Sequence, residues 1–165
     1  EHPKLESEIR IKSMGIGGNI VNKLVNQYGL TGLVELLPYG THRDSVQLLM
    51  DSDVLLLDRE IVPIDKVAVV TTSAKVFEYL ASGKPILAIV PPHSAAGEIV
   101  RSTGSGVVAN PEDPKEVPAA IHSLYLRYKA GTLGVDNQRD LGKFKRKNLT
   151  EMLVQMLDEA IASRG

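Results

Sequence analysis

Lys75 and Glu78 stand three residues apart, just after the small polar run Thr71-Thr72-Ser73-Ala74. A helix that starts after such a run leaves its first N–H groups without intrahelical partners. Together with the helix dipole, those groups make a seat for an anion such as a diphosphate. Lys75 would lie in that first turn, where a cation opposes the dipole unless an anion is close. Glu78, one turn further on, would reach past a bound phosphate and accept both hydroxyls of a ribose. The same two residues also read as an exposed i, i+3 ion pair worth about 0.2–0.5 kcal/mol. Residue types alone leave both readings open.

Other combinations carry less chemistry. Gly15-Ile16-Gly17-Gly18 follows an alternating run, but Asn19 and Ile20 stand where a dinucleotide fingerprint needs its third glycine. Asp51-Ser52-Asp53 spells the D-x-D of some metal-dependent transferases, yet a helix end meeting a strand start accounts for it, and no metal site is expected. His2, His42, His93 and His122 lack ligand spacing. His93 lies beside Ser94 on a loop, but no G-x-S-x-G elbow surrounds them. The absence of cysteine excludes thiolate nucleophiles, thiolate zinc sites and iron–sulfur clusters. Lys143, Lys145, Arg146 and Lys147 read as a solvated helix start, or as a face for anionic lipid.

Short apolar runs alternate with segments of helical period. Strands are expected over residues 9–14, 33–37, 53–58, 85–90 and 106–109. Helices are expected from Asn19 to about Tyr28, from Thr41 through Leu49, from a Ser73 cap to Gly83, from Ser94 to Thr103, over residues 112–129 and over residues 148–163. Residues 59–72 and 131–138 read as connectors, and a short helical turn is expected near Phe144. The runs at 53–58 and 85–90 are apolar on both faces, as in a parallel sheet covered by helices on two sides. The expected class is α/β, a doubly wound parallel sheet with helices on both faces, and ligands in such sheets bind outside the carboxyl ends of the strands.

The chain has 165 residues, which suits a single domain over 1–165. Its 43% hydrophobic and 24% charged residues are ordinary for a globular domain. Nineteen Lys and Arg against 20 Asp and Glu leave a net charge of −1, which removes the broad basic surface that nucleic acid requires. No apolar run is long enough to span a bilayer. The chain lacks an initiator Met and is expected to be a fragment.

The run Lys75-Val76-Phe77-Glu78-Tyr79-Leu80-Ala81-Ser82-Gly83-Lys84-Pro85, with Ile86-Leu87-Ala88 after it, resembles the donor-site signature of retaining, two-lobed (GT-B) glycosyltransferases of family 4, also called group 1. Their C-terminal, Rossmann-like lobe carries a helix of the type K-x-x-E-Y-x-A-x-G-K-P and then a buried strand. The resemblance extends to residues 34–40, to Ser52-Asp53-Val54-Leu55-Leu56-Leu57, and to Glu98-Ile99-Val100 with Gly104-Ser105-Gly106-Val107-Val108, Asn110-Pro111 and Asp113. Phe144-Lys145-Arg146-Lys147-Asn148-Leu149-Thr150 is similar to the family's closing element. Two departures stand out. Val70 occupies the position where many members carry a second glutamate, and the family's first strand–loop–helix, with its diphosphate-holding Arg and Lys, precedes Glu1.

The resemblance implies a partial donor-binding lobe for a nucleoside-diphosphate sugar. Ser73, Ala74, Lys75 and Val76 would hold the diphosphate, Glu78 the ribose, and the loop Pro38-Tyr39-Gly40 the base. Catalysis would be glycosyl transfer with retention, without metal or cofactor, in glycan or glycolipid synthesis. Lys75 is the candidate for leaving-group stabilisation, and no other catalytic residue is assigned. The implied partners are the nucleotide sugar, a missing N-terminal lobe and a glycan or lipid-linked acceptor, with no nucleic acid and no transmembrane segment. The implied place is the cytoplasm, with peripheral contact at the inner face of the membrane. Alone, the 165-residue chain is expected to fold without transferring sugar. Two alternatives stay open: a nucleotide-sugar epimerase of the same fold, which would need acid/base carboxylates, and a non-catalytic nucleotide-binding module.

Overall fold

The computed structural model describes residues 7–15, 18–58, 73–135 and 140–163. The expected loop 59–72 lies outside the described residues, with Val70, Thr71 and Thr72 in it, as do Ile16 and Gly17. The chain divides into two compact units, Glu1–Leu48 and Leu49–Gly165.

In the first unit, strands β1 (Ile11–Met14) and β2 (Val34–Leu37) pair in parallel, with Ile11 opposite Val34. Helix α1 (Gly18–Gln27) connects them and buries Val25. It ends before Gly29, whose φ of 67° is the left-handed conformation that a residue without a Cβ adopts freely. Helix α2 (His42–Asp51) opens as expected at Thr41. The Thr41 Oγ1 accepts from the Asp44 N–H at 3.2 Å, while an Asp44 carboxylate oxygen accepts from the Thr41 N–H at 2.7 Å. This reciprocal pair satisfies two of the helix's orphan donors.

The second unit holds strands β3 (Leu55–Asp58), β4 (Ile86–Ile89) and β5 (Gly106–Ala109), all parallel in the order β3-β4-β5. Helices α3 (Lys75–Ser82) and α4 (Ala95–Ser102) make the two crossovers. Side chains alternate along a strand, so β4 serves both faces. Ile86 and Ala88 join Leu57, Val76, Leu80, Val90 and Val100 in the core beneath α3 and α4. Leu87 joins Ala109 with Ala120 and Leu124 of helix α5 (Glu116–Lys129) on the opposite face. The three-stranded sheet is therefore doubly wound, with helices on both sides. Gly106 is required by this ladder, because a Cβ there would fall on the Ile86 carbonyl.

Some expectations shift. The five strands form, but their described ladders make a two-stranded and a three-stranded sheet. β3 is not apolar-buried on both faces: Leu55 and Leu57 are buried, but Leu56 is 42% exposed. Leu56 shares the face of Leu87, where α5 packs on β4 and β5, so this face of β3 is less covered. Helix α5 starts at Glu116, not at residue 112. Asn110 and Asp113 side chains accept from the N–H groups of Glu112 and Lys115 at 3.1 and 2.8 Å, and these local turns hold the chain out of the helix. Pro114 thus precedes the helix and Pro118 lies in its first turn, where a missing N–H costs little. A 3₁₀ turn, Gly142–Phe144, leads into helix α6 (Arg146–Ala162), which buries no residue. Among the described residues, no helix is long and apolar enough to cross a membrane.

Candidate functional site

Helix α3 is short, and packing fixes which way it faces. At about 3.6 residues per turn, Val76 and Leu80 fall on one side and Lys75 and Glu78 on the opposite side. Val76 is fully buried and Leu80 nearly so, while Lys75 and Glu78 are exposed. Because the βαβ crossover runs α3 antiparallel to the strands, its first turn lies toward the carboxyl edge of the three-stranded sheet. That is the edge where open parallel sheets bind ligands.

The helix start differs from the expected Ser73 cap. Ala74 occupies the N-cap position in a helical conformation, and no side chain caps the turn. Instead the Val76 N–H donates to the Ser73 carbonyl and the Phe77 N–H to the Ala74 carbonyl, each at 3.1 Å. Two first-turn donors are thus engaged by tightened local bonds. The Lys75 N–H reaches the Ser73 Oγ only at 3.4 Å, the long limit of a hydrogen bond. Lys75 is exposed on this turn. Val76 contributes its side chain to the core and its N–H to Ser73. At the other end, Gly83 takes φ 75° and lets the chain turn into β4.

Among the described residues, neither Lys75 nor Glu78 enters an ion pair, with each other or elsewhere. The i, i+3 pairing that the spacing allows is not formed. Two groups beside them were not legible as site residues. The Tyr79 hydroxyl donates to the Leu56 carbonyl of β3 at 3.3 Å. Burial, then the charges of Asp58 and Glu78, push the Tyr79 phenol above its ordinary 10.0. Asp58 closes β3 at the carboxyl edge and is exposed. Two carboxylates, Asp58 and Glu78, thus lie within electrostatic reach of Tyr79. The signal for Asp58 was its place at the carboxyl end of an apolar strand.

The loop Pro38-Tyr39-Gly40 follows β2 in the first unit. Tyr39 is 76% exposed. Gly40 packs closely, since a Cβ there would stand 2.9 Å from the Asp44 Cβ and 3.1 Å from the Met14 Sδ. That unit also has an open groove of about 360 Å³, lined by Gly18, Asn22, Val25, Thr31, Val34 and Leu36. Gly18 is the first residue of α1, and the groove includes neither Lys75 nor Glu78.

The chain was also compared with known proteins. It matches no family model, no curated protein and no solved structure.

The remaining candidates have structural roles. Ser94 caps α4, its Oγ accepting from the Gly97 N–H at 3.1 Å, so its hydroxyl is committed to the helix start. His93 is exposed on the loop beside it. The Arg101 guanidinium pins that loop through the Pro92 carbonyl at 2.6 Å. Asp51 ends α2, and Asp53 precedes β3 and is exposed. No group of three or more metal-ligating side chains forms among the described residues.

Proposed function

We propose that the chain carries the donor-binding part of a retaining glycosyltransferase, holding a nucleoside-diphosphate sugar on the outward face of α3 and delivering the sugar to a hydroxyl acceptor on a glycan or lipid. One observation carries this reading. Lys75 and Glu78 stand exposed and, among the described residues, without an ion pair on the first turn of a helix whose start lies toward the carboxyl edge of a parallel sheet. The similarity of residues 75–85 to the donor-site signature supports it.

In this reading Lys75, with the backbone N–H groups at Ser73, Ala74 and Lys75, offsets the charge that builds on the departing diphosphate. Glu78 accepts the ribose hydroxyls. No metal is needed, because the cationic side chain and the helix start supply the electrostatic role. A further lobe brings the acceptor and closes the cleft, and the isolated chain binds nucleotide without transferring sugar. The reaction belongs to the cytoplasm, with Lys143, Lys145, Arg146 and Lys147 meeting anionic lipid at the inner membrane face.

Calorimetric titration of UDP and GDP into the chain and its Glu78→Gln variant tests the reading. Loss of a charge-assisted bond pair weakens the better nucleotide by about 2 kcal/mol, roughly thirtyfold in Kd. Equal affinity in both proteins removes Glu78 from the site.

A further inference from the structure

The outward face of α3 depends on how the helix is rotated about its own axis, and two contacts on opposite flanks set that rotation. Val76 and Leu80 point down into the core. Phe77 and Tyr79 lie on the flanks, each roughly 80° from that buried direction. On one flank the Tyr79 hydroxyl holds the Leu56 carbonyl. On the other, the Phe77 ring packs against the Phe144 ring, with centroids 5.7 Å apart and planes inclined at 52°. Such tilted aromatic pairs add attraction beyond the area they bury.

Phe144 comes from a segment far away in sequence, and that segment is itself well braced. Within the 3₁₀ turn, the Gly142 N–H donates to the Asp140 carboxylate at 2.7 Å, and the Asn148 side-chain amide donates to the Gly142 carbonyl at 3.0 Å. The Lys143 ammonium lies 5.1 Å from the Phe144 ring centroid and 3.5 Å from the Ser102 hydroxyl at the end of α4. Leu141 and Phe144 both pack on the core beneath α3. Helix α3 has eight residues and no side-chain cap, so it has little stability of its own. Its first turn relies on its neighbours.

We infer that Phe144 is a positioning residue: it props the Phe77 flank of α3 and so fixes where Lys75 and Glu78 point. The significance for nucleotide rests on the reading above. The prop itself is a statement about α3 and is testable without ligand.

Hydrogen exchange followed by mass spectrometry on the chain, Phe144→Ala and Phe144→Leu decides it. Phe144→Ala accelerates exchange of the Val76–Leu80 amides by roughly tenfold, while the amides of α5 on the opposite face keep their rates. Phe144→Leu, which keeps apolar bulk but loses the ring pair, falls between the two and remains the deciding variant if the alanine form does not melt cooperatively. Unchanged rates in α3, or equal acceleration in α5, overturn the prop, since the first means no support and the second only general destabilisation. A parallel titration with UDP and GDP keeps the two claims apart. Affinity that falls with the exchange protection ties the prop to the binding face. A wild-type chain that binds neither nucleotide overturns the nucleotide reading, while the exchange rates still decide the prop.

Discussion

Tyr79 shows how one residue can join a fold to a candidate site. Its ring lies on the flank of α3, its hydroxyl reaches back to β3, and its phenol feels the charges of Asp58 and Glu78. Burial and those carboxylates raise its folded pKa above the ordinary 10.0. A raised value means that the folded state holds the proton more tightly than the unfolded chain does. The associated stability is fully present below 10.0 and is lost as pH rises through the folded value. Melting the chain and Tyr79→Phe from neutral to alkaline pH should therefore show a smaller alkaline fall in the variant. Parallel curves would mean that the phenol titrates as it does when unfolded. The sequence announced Lys75 and Glu78 through their place after a small polar run, but not this linkage. Tyr79 meets Leu56 across 23 residues of sequence, and only folding brings the two together.

At the scale of elements, apolar runs bounded by glycine and proline located all five strands and most helices, and in the second unit those runs build the core. The differences arose where local turns take up the hydrogen bonds of the expected helix starts. Asn110 and Asp113 delay α5, and the 3₁₀-type bonds at Ser73 and Ala74 replace the expected serine cap. Helix α6 presents a different case. Its period was legible, yet it has no buried residue, and Leu149, Met152, Leu153, Met156 and Ile161 are all about half exposed or more. Its described side-chain link to the rest of the unit is Asn148, bonded to Gly142. Ending the chain after Asn148 should change its unfolding free energy by less than about 0.5 kcal/mol, the range of surface changes, and should raise its solubility. Thermal melts and light scattering check both outcomes. A large drop in melting temperature would show that the α6 face is covered in solution.

At the scale of the whole molecule, the buried apolar residues are distributed unevenly. Val25 is the buried hydrophobic residue described in the first unit, whereas the second carries two core clusters on either side of its sheet. Cooperative melting should therefore report on the second unit. Ile86→Ala, at a fully buried position on the central strand, should cost about 2–5 kcal/mol. Val25→Ala should leave that transition in place. Equal effects in calorimetry would mean that the two units unfold as one. The doubly wound class was legible because helical crossovers between parallel strands leave few alternatives. The division into two units was not, since no composition shift marks Leu48. The proposal that the outward face of α3 receives a nucleoside diphosphate can be checked by a two-dimensional amide NMR titration of the chain with UDP and with GDP. Saturable shifts are expected at Ser73, Ala74, Lys75 and Glu78 for at least one of the two, with the amides of α5 unmoved. Shifts confined to other residues, or none with either nucleotide, would contradict it.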